Sequence, residues 1–184
     1  RRTLVDNQNW GLSVGLGPKL PIGRNDVQDD NGLLLSADLQ PGSGAWDAMF
    51  WTAFSKYGIL KPTLSFSATA TARWTSTADR IENTQLYKFG NEFQAFFGFS
   101  DRFVKGLWFI DPQLMFRLRH VTEDIVNELP LPNTGGTFFH LVPAFVLTPR
   151  SNISFRLAGE LPLIRFVQGT QLATSQRITA SIFI

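Results

Sequence analysis

The sequence predicts an all-β chain, an antiparallel up-and-down transmembrane β-barrel of eight strands, and three observations carry that expectation. Eight segments alternate apolar residues with polar or small ones, the period of a strand whose two faces meet different surroundings. These segments run to about ten residues or more, against about 5–6 for an ordinary strand and about 9–11 for one that spans a bilayer. Their polar faces carry Ser, Thr, Gly and Gln with occasional Arg and Glu, and the whole chain has five Lys. The edges of water-facing sheets are usually rich in lysine. A soluble sandwich or lipocalin-like barrel is the competing reading of the alternation alone.

Composition narrows the function classes. Of 184 residues 43% are hydrophobic and 13% aromatic, while charged residues make up 17%, below the roughly one quarter of a typical soluble domain. A net charge of +2 and the lack of a basic face argue against nucleic acid as a partner. With no Cys, disulfides and thiolate metal sites are excluded. No apolar run reaches the length of a membrane helix. The chain opens Arg1-Arg2-Thr3 without Met, which reads as a mature or truncated product, and residues 1–184 read as one domain with 1–9 as a lead-in.

The first strand is expected at residues 10–20, with Trp10, Leu12, Val14, Leu16, Pro18 and Leu20 opposite Gly11, Ser13, Gly15, Gly17 and Lys19. The second falls at 46–57 and the third at 63–75. In the fourth, at 91–100, Phe93, Ala95, Phe97 and Phe99 oppose Glu92, Gln94 and Gly98. The fifth falls at 107–119, the sixth at 137–148, the seventh at 152–163 and the last at 172–184. A short extra strand is possible at 33–39. Between them, short turns at 58–62, 101–106 and 149–151 alternate with long connections at 22–45, 76–90, 121–136 and 164–171, so all the short turns gather at one rim.

Parity assigns the candidate residues. The inward, lumen-lining set is Lys19, Asp47, Arg73, Glu92, Gln94, Asp111, Gln113, Arg117, Arg119, His140, Arg156, Glu160 and Arg177. Trp10, Trp46, Phe54, Phe93, Phe99, Trp108 and Phe139 crowd the strand ends, where aromatic girdles sit in membrane barrels. Guessing register from the short turns places Asp47 opposite Arg73 and His140 opposite Glu160, with Arg117 within reach of His140. Bulky Met49, Trp51, Tyr57, Phe96 and Met115 also point inward. These charges either cross-link and plug a narrow barrel or line a path that favours anionic solutes. Acidic Asp26, Asp29, Asp30, Asp79, Glu82, Glu123, Asp124 and Glu128 fall in the long loops, while Lys56, Lys61, Arg102, Lys105 and Arg150 lie at the short-turn end. The loop acids read as solvated charges, with the bridging of divalent cations beside lipopolysaccharide as the alternative. His120 and His140 are the only conventional bases, and no spacing selects Ser36 or Ser76 as a nucleophile, so the chain does not read as an enzyme. No ligand spacing for a metal is present, and no cofactor is implied.

Three blocks carry a family resemblance: Gly15-Leu-Gly-Pro-Lys-Leu-Pro-Ile-Gly23, Asp38-Leu-Gln-Pro-Gly-Ser-Gly44 and Tyr87-Lys-Phe-Gly-Asn-Glu92. In this order they resemble the outer-membrane transporters of the meta-pathway of phenol degradation family, over about residues 10–100. The resemblance implies a porin-like barrel in the outer membrane of a Gram-negative bacterium, passing small hydrophobic or aromatic compounds. Its partners would be outer-membrane lipid, lipopolysaccharide and a small-molecule solute. It carries over no binding residue. Family members are longer on the N-terminal side, so a full barrel would have 10–12 strands. The alternative is a structural barrel or anchor, as a homo-oligomer or within a larger envelope assembly.

Overall fold

The computed structural model describes residues 2–79, 85–149, 153–172 and 175–184. Glu82 and Arg150, the first residue of the expected seventh strand and two near the start of the eighth lie outside them. The strands are β1 (Arg2–Asp6), β2 (Trp10–Lys19), β3 (Asp47–Tyr57), β4 (Leu64–Trp74), β5 (Thr77–Asp79), β6 (Leu86–Lys88), β7 (Glu92–Asp101), β8 (Phe103–Lys105), β9 (Trp108–Val121), β10 (Ile125–Val126), β11 (Leu129–Pro130), β12 (Gly136–Pro149), β13 (Ser154–Val167) and β14 (Arg177–Phe183).

Nine of them form one antiparallel meander in the order β1-β2-β3-β4-β7-β9-β12-β13-β14, and β8 folds back on β9 to make ten. Every neighbouring pair on this path is antiparallel. The long connections supply a second, four-stranded sheet in the order β11-β10-β6-β5. Among the described residues no pairing joins β1 to β14, so both are edges of the large sheet.

Register sorts the residues into rows across the sheet. One row runs Leu12, Phe54, Ala68, Phe97, Phe116, Leu141, Leu161, apolar through seven strands. An adjacent row on the other face runs Ser13, Ala53, Thr69, Phe96, Arg117, His140. The burial of the two faces is the reverse of a water-soluble sheet. Asp47, Asp111, His140 and Glu160 are buried, whereas Leu16 is 77% and Ile178 82% exposed. Among the described residues no large side chain is fully buried.

All eight expected strands form, with shifted ends. Residues 1–9 are not merely a lead-in, because β1 pairs with β2 there through an irregular register between Thr3 and Val5. The possible strand at 33–39 does not form. It is replaced by a single bridge between Gln28 and Leu34 and a 3-10 turn at Ala37–Leu39. Side chains take the place of a ladder there: Gln40 accepts from the Val27 N–H at 2.9 Å and donates to the Val27 and Leu35 carbonyls. β13 runs on to Val167, past the expected end, and pairs with β12 as far as Gly136 across a register shift between Phe139 and His140. β14 begins at Arg177 rather than at 172.

At Gly98 the backbones of β7 and β9 leave no room for a side chain. A Cβ there would stand 2.2 Å from the Leu114 carbonyl oxygen and 2.7 Å from the Met115 Cα, both backbone atoms. We expect Gly98→Val to cost about 1–3 kcal/mol of stability in chemical unfolding. Gly17→Ala, where nothing lies within 4 Å, should stay within about 0.5 kcal/mol of the parent.

Candidate functional site: a charged cavity on the concave face

The sheet curls so that strands far apart along it face each other. Thr69 and Thr71 of β4 and Arg177 and Thr179 of β14 line the same cavity of about 500 Å3. A second cavity of about 830 Å3 lies toward the long connections, with Arg73 and Arg119 in its wall beside Tyr87 and Phe138.

Between the two lies an ionic cluster centred on Glu92. Glu92 sits directly opposite Arg73 on β4, and its Oε2 is 3.2 Å from an Arg73 nitrogen. Its Oε1 accepts from Arg119 Nε at 2.7 Å and from Gln94 Nε2 at 2.7 Å. Arg119 and Gln94 are themselves paired in register, so β4, β7 and β9 are tied at one level. A second cluster centres on Glu160. Arg117 donates to its Oε1 at 2.6 Å, Arg177 donates to its Oε2, and His140 Nδ1 is 3.9 Å from Oε1. Two simpler pairs complete the set: Lys19 with Asp47 at 3.0 Å, and Arg102 forked onto Asp111 at 2.8 and 2.7 Å. Each buried carboxylate thus has a cationic partner, which offsets the cost of taking it out of water.

The inward residues expected from parity do share one face. Lys19 and Asp47, Arg73 and Glu92, Gln94 and Arg119 are direct cross-strand neighbours, and Gln113 lies opposite Ala144. The two guessed cross-strand pairs are each displaced by two residues. Arg73 faces Met49 rather than Asp47, and His140 faces Pro162 rather than Glu160. Both offsets are already present at the pairs nearest the connections, Tyr57 with Ser65 and Leu147 with Phe155, so the β3–β4 and β12–β13 connections set them, and strand parity does not reveal either. Arg117 does lie directly opposite His140. Arg102 was missed: parity cannot place a residue just beyond the end of β7, although Asp111 on the next long strand needed a cation.

The three sequence blocks meet at the loop end. Lys19, Asp38, Gln40, Gly42 and Phe89 share a cavity of about 250 Å3 with Arg73. Gly23 and Gly42 touch backbone to backbone, since a Cβ on Gly42 would stand 2.5 Å from the Gly23 carbonyl. Lys19 Nζ donates to Ser43 Oγ at 2.8 Å. Asp124, one of the loop acids, is no free solvated charge: it accepts from the Tyr87 hydroxyl and from the Gly90 N–H. Asp29 is held below the usual carboxylate range by the backbone N–H of Leu33, and Asp26 by its hydrogen bond from Arg24.

The girdle candidates fall on the exposed face. Trp10, Phe54, Phe66 and Phe99 form a chain of ring contacts at 6.4, 6.2 and 5.2 Å. Phe139 stacks on Phe116 at 5.7 Å, while Trp46, Phe93 and Trp108 are exposed. His120 Nδ1 is 2.8 Å from Thr137 Oγ1, Ser36 bonds to Asp38, and Ser76 bonds to the Trp46 carbonyl. No family model, curated protein or solved structure matches the chain.

Glu160 is the point where three strands are tied, through Arg117 of β9 and Arg177 of β14. Glu160→Gln is expected to lower stability by about 1–3 kcal/mol in chemical unfolding. In a double-mutant cycle with Arg177→Ala the two losses should fall short of adding.

Proposed function

We propose that the chain is an outer-membrane β-barrel of the porin or transporter type in a Gram-negative bacterium, passing small hydrophobic or aromatic compounds by diffusion. The observation that carries this reading is the inverted sheet: paired charges on the buried face, and Leu, Ile and Phe on the exposed one. Such a face suits hydrocarbon, where every backbone polar group must also be paired within the protein. Aromatic rings near both ends of the exposed rows, Trp10, Phe54 and Phe99 toward the short turns and Phe93 toward the long loops, suit the two interfaces. The three blocks that resemble the phenol-degradation transporters support the same reading. The elaborated loops would then meet lipopolysaccharide.

In this reading the barrel closes around the charged cavity. β1 and β14 are the first and ninth strands of an alternating meander, so they run the same way. Antiparallel closure takes one strand between them, or another odd number, which makes ten or twelve in all. A structural barrel is the second reading. What favours it is the Arg73–Glu92–Arg119 cluster, which ties neighbouring strands across the level between the two larger cavities.

Planar-bilayer recording on protein purified in detergent separates the two. Steady conductance steps support transport, and Arg73→Gln should then shift selectivity toward cations. A silent bilayer leaves only the structural barrel. The lipid-facing assignment has its own test. Leu141→Arg, in the middle of the apolar row, should cost about 2–4 kcal/mol for the bilayer-folded protein. A neutral result there would remove lipid from that face.

A further inference from the structure

We propose that the 500 Å3 cavity is a binding site for an aromatic monocarboxylate, with Arg156 as its anchor. The inference deepens the transport reading and rests on it for its biological sense, but the site itself is testable separately.

The argument starts from charge. Arg117, Arg156, Arg177 and Glu160 all line this cavity, three guanidinium groups against one carboxylate. Glu160 is committed on both oxygens, Oε1 to Arg117 and Oε2 to Arg177. The other carboxylate at the level of Arg156 is Asp111, which lies across β12 on the same row through Val146. Asp111 is forked by Arg102 and has no oxygen left without a cation. Arg156 itself makes no hydrogen bond or ion pair among the described residues. Its direct cross-strand neighbours are Val146 and Ser181. A half-buried guanidinium with no acid beside it, in a cavity whose charges sum to about two positive units, attracts an anion.

Shape and lining choose among anions. A single unpaired guanidinium presents a planar fork that matches a carboxylate with two parallel N–H···O bonds. Phe96 and Val142 supply an apolar wall for a ring, and Thr71 and Thr179 add hydroxyls to the lining. The volume lies within the range of about 300–1,000 Å3 typical of small-molecule sites. A fully hydrated inorganic anion makes no use of the apolar wall, and a cation meets the wrong sign.

Equilibrium dialysis of radiolabelled benzoate against the full chain in detergent, at fixed ionic strength, tests the site. Saturable benzoate binding is expected, at least about tenfold tighter than that of uncharged benzyl alcohol. Arg156→Gln should abolish that preference, with benzoate binding no tighter than benzyl alcohol. Arg156→Lys should keep part of it, and Arg24→Gln in the exposed loop should keep all. Should Arg156→Gln fail to fold, the parent's preference for benzoate and its loss in high salt decide the matter. Equal binding of the two probes, or benzoate binding indifferent to Arg156→Gln, overturns the inference. The bilayer recording keeps the two proposals apart: Arg156-dependent binding by a silent protein keeps the site and removes transport, and conductance without benzoate binding does the reverse.

Discussion

Rows of hydrocarbon on one face of an antiparallel sheet gain stability when something shields them from water, and here the opposite face cannot be that something. It carries Lys19, Asp47, Arg73, Glu92, Arg117, Arg119 and Glu160, and the sheet curls with these residues inside. The apolar row from Leu12 to Leu161 is left on the outside. A buried Leu or Phe side chain is worth about 1.5–3 kcal/mol relative to an exposed one. A chain that leaves so many of them exposed has no aqueous core to compensate, and the few buried apolar groups, such as Met115, Phe138 and Val142, lie among charges. The polarity of this sheet is therefore the constraint from which its other features follow.

One consequence is the way carboxylates are handled. Asp47, Glu92, Asp111 and Glu160, all on the face that lines the cavities, each sit within 3.2 Å of a Lys or Arg nitrogen. Because the partners come from neighbouring or next-nearest strands, the same contacts fix register on a face where Thr, Ser and Gly specify it weakly. Glycine plays the complementary part. Gly98 lets β7 and β9 approach, and Gly23 against Gly42 locks the first long loop over the end of the sheet. The sequence blocks at 15–23, 38–44 and 87–92 thus form one clasp at the loop end, which explains why they can be so far apart in the chain.

Much of this was legible in the residues. Alternation alone located every long strand, because a period of two with unlike faces has few other readings over ten residues. It also put the residues from Lys19 to Arg177 on one face of the sheet. Partner identity was not legible. Asp47 pairs with Lys19 and not with Arg73, because the two-residue offset comes from the β3–β4 turn. The strand at 33–39 was misleading, since Leu33, Leu34 and Leu35 look like a strand until the Gln40 side chain takes the backbone groups a ladder would use. β1 was hidden because Arg2–Asp6 is short and mixed, and only its pairing with β2 makes it a strand. The cation-rich cavity emerged from curvature, which brings β4 opposite β14 and which no local pattern encodes.

The central claim concerns which solvent touches the apolar rows, and β12 offers the most direct measurement. Spin labels placed singly from Thr137 to Thr148, in protein reconstituted into lipid vesicles, report accessibility to oxygen and to a water-soluble nickel chelate. Oxygen accessibility should peak at Phe139, Leu141, Pro143, Phe145 and Leu147 and dip at His140, Val142, Ala144 and Val146, with the nickel signal low at the first set. High nickel accessibility at Leu141, Pro143 and Phe145, or the loss of the two-residue period, would contradict the lipid-facing sheet.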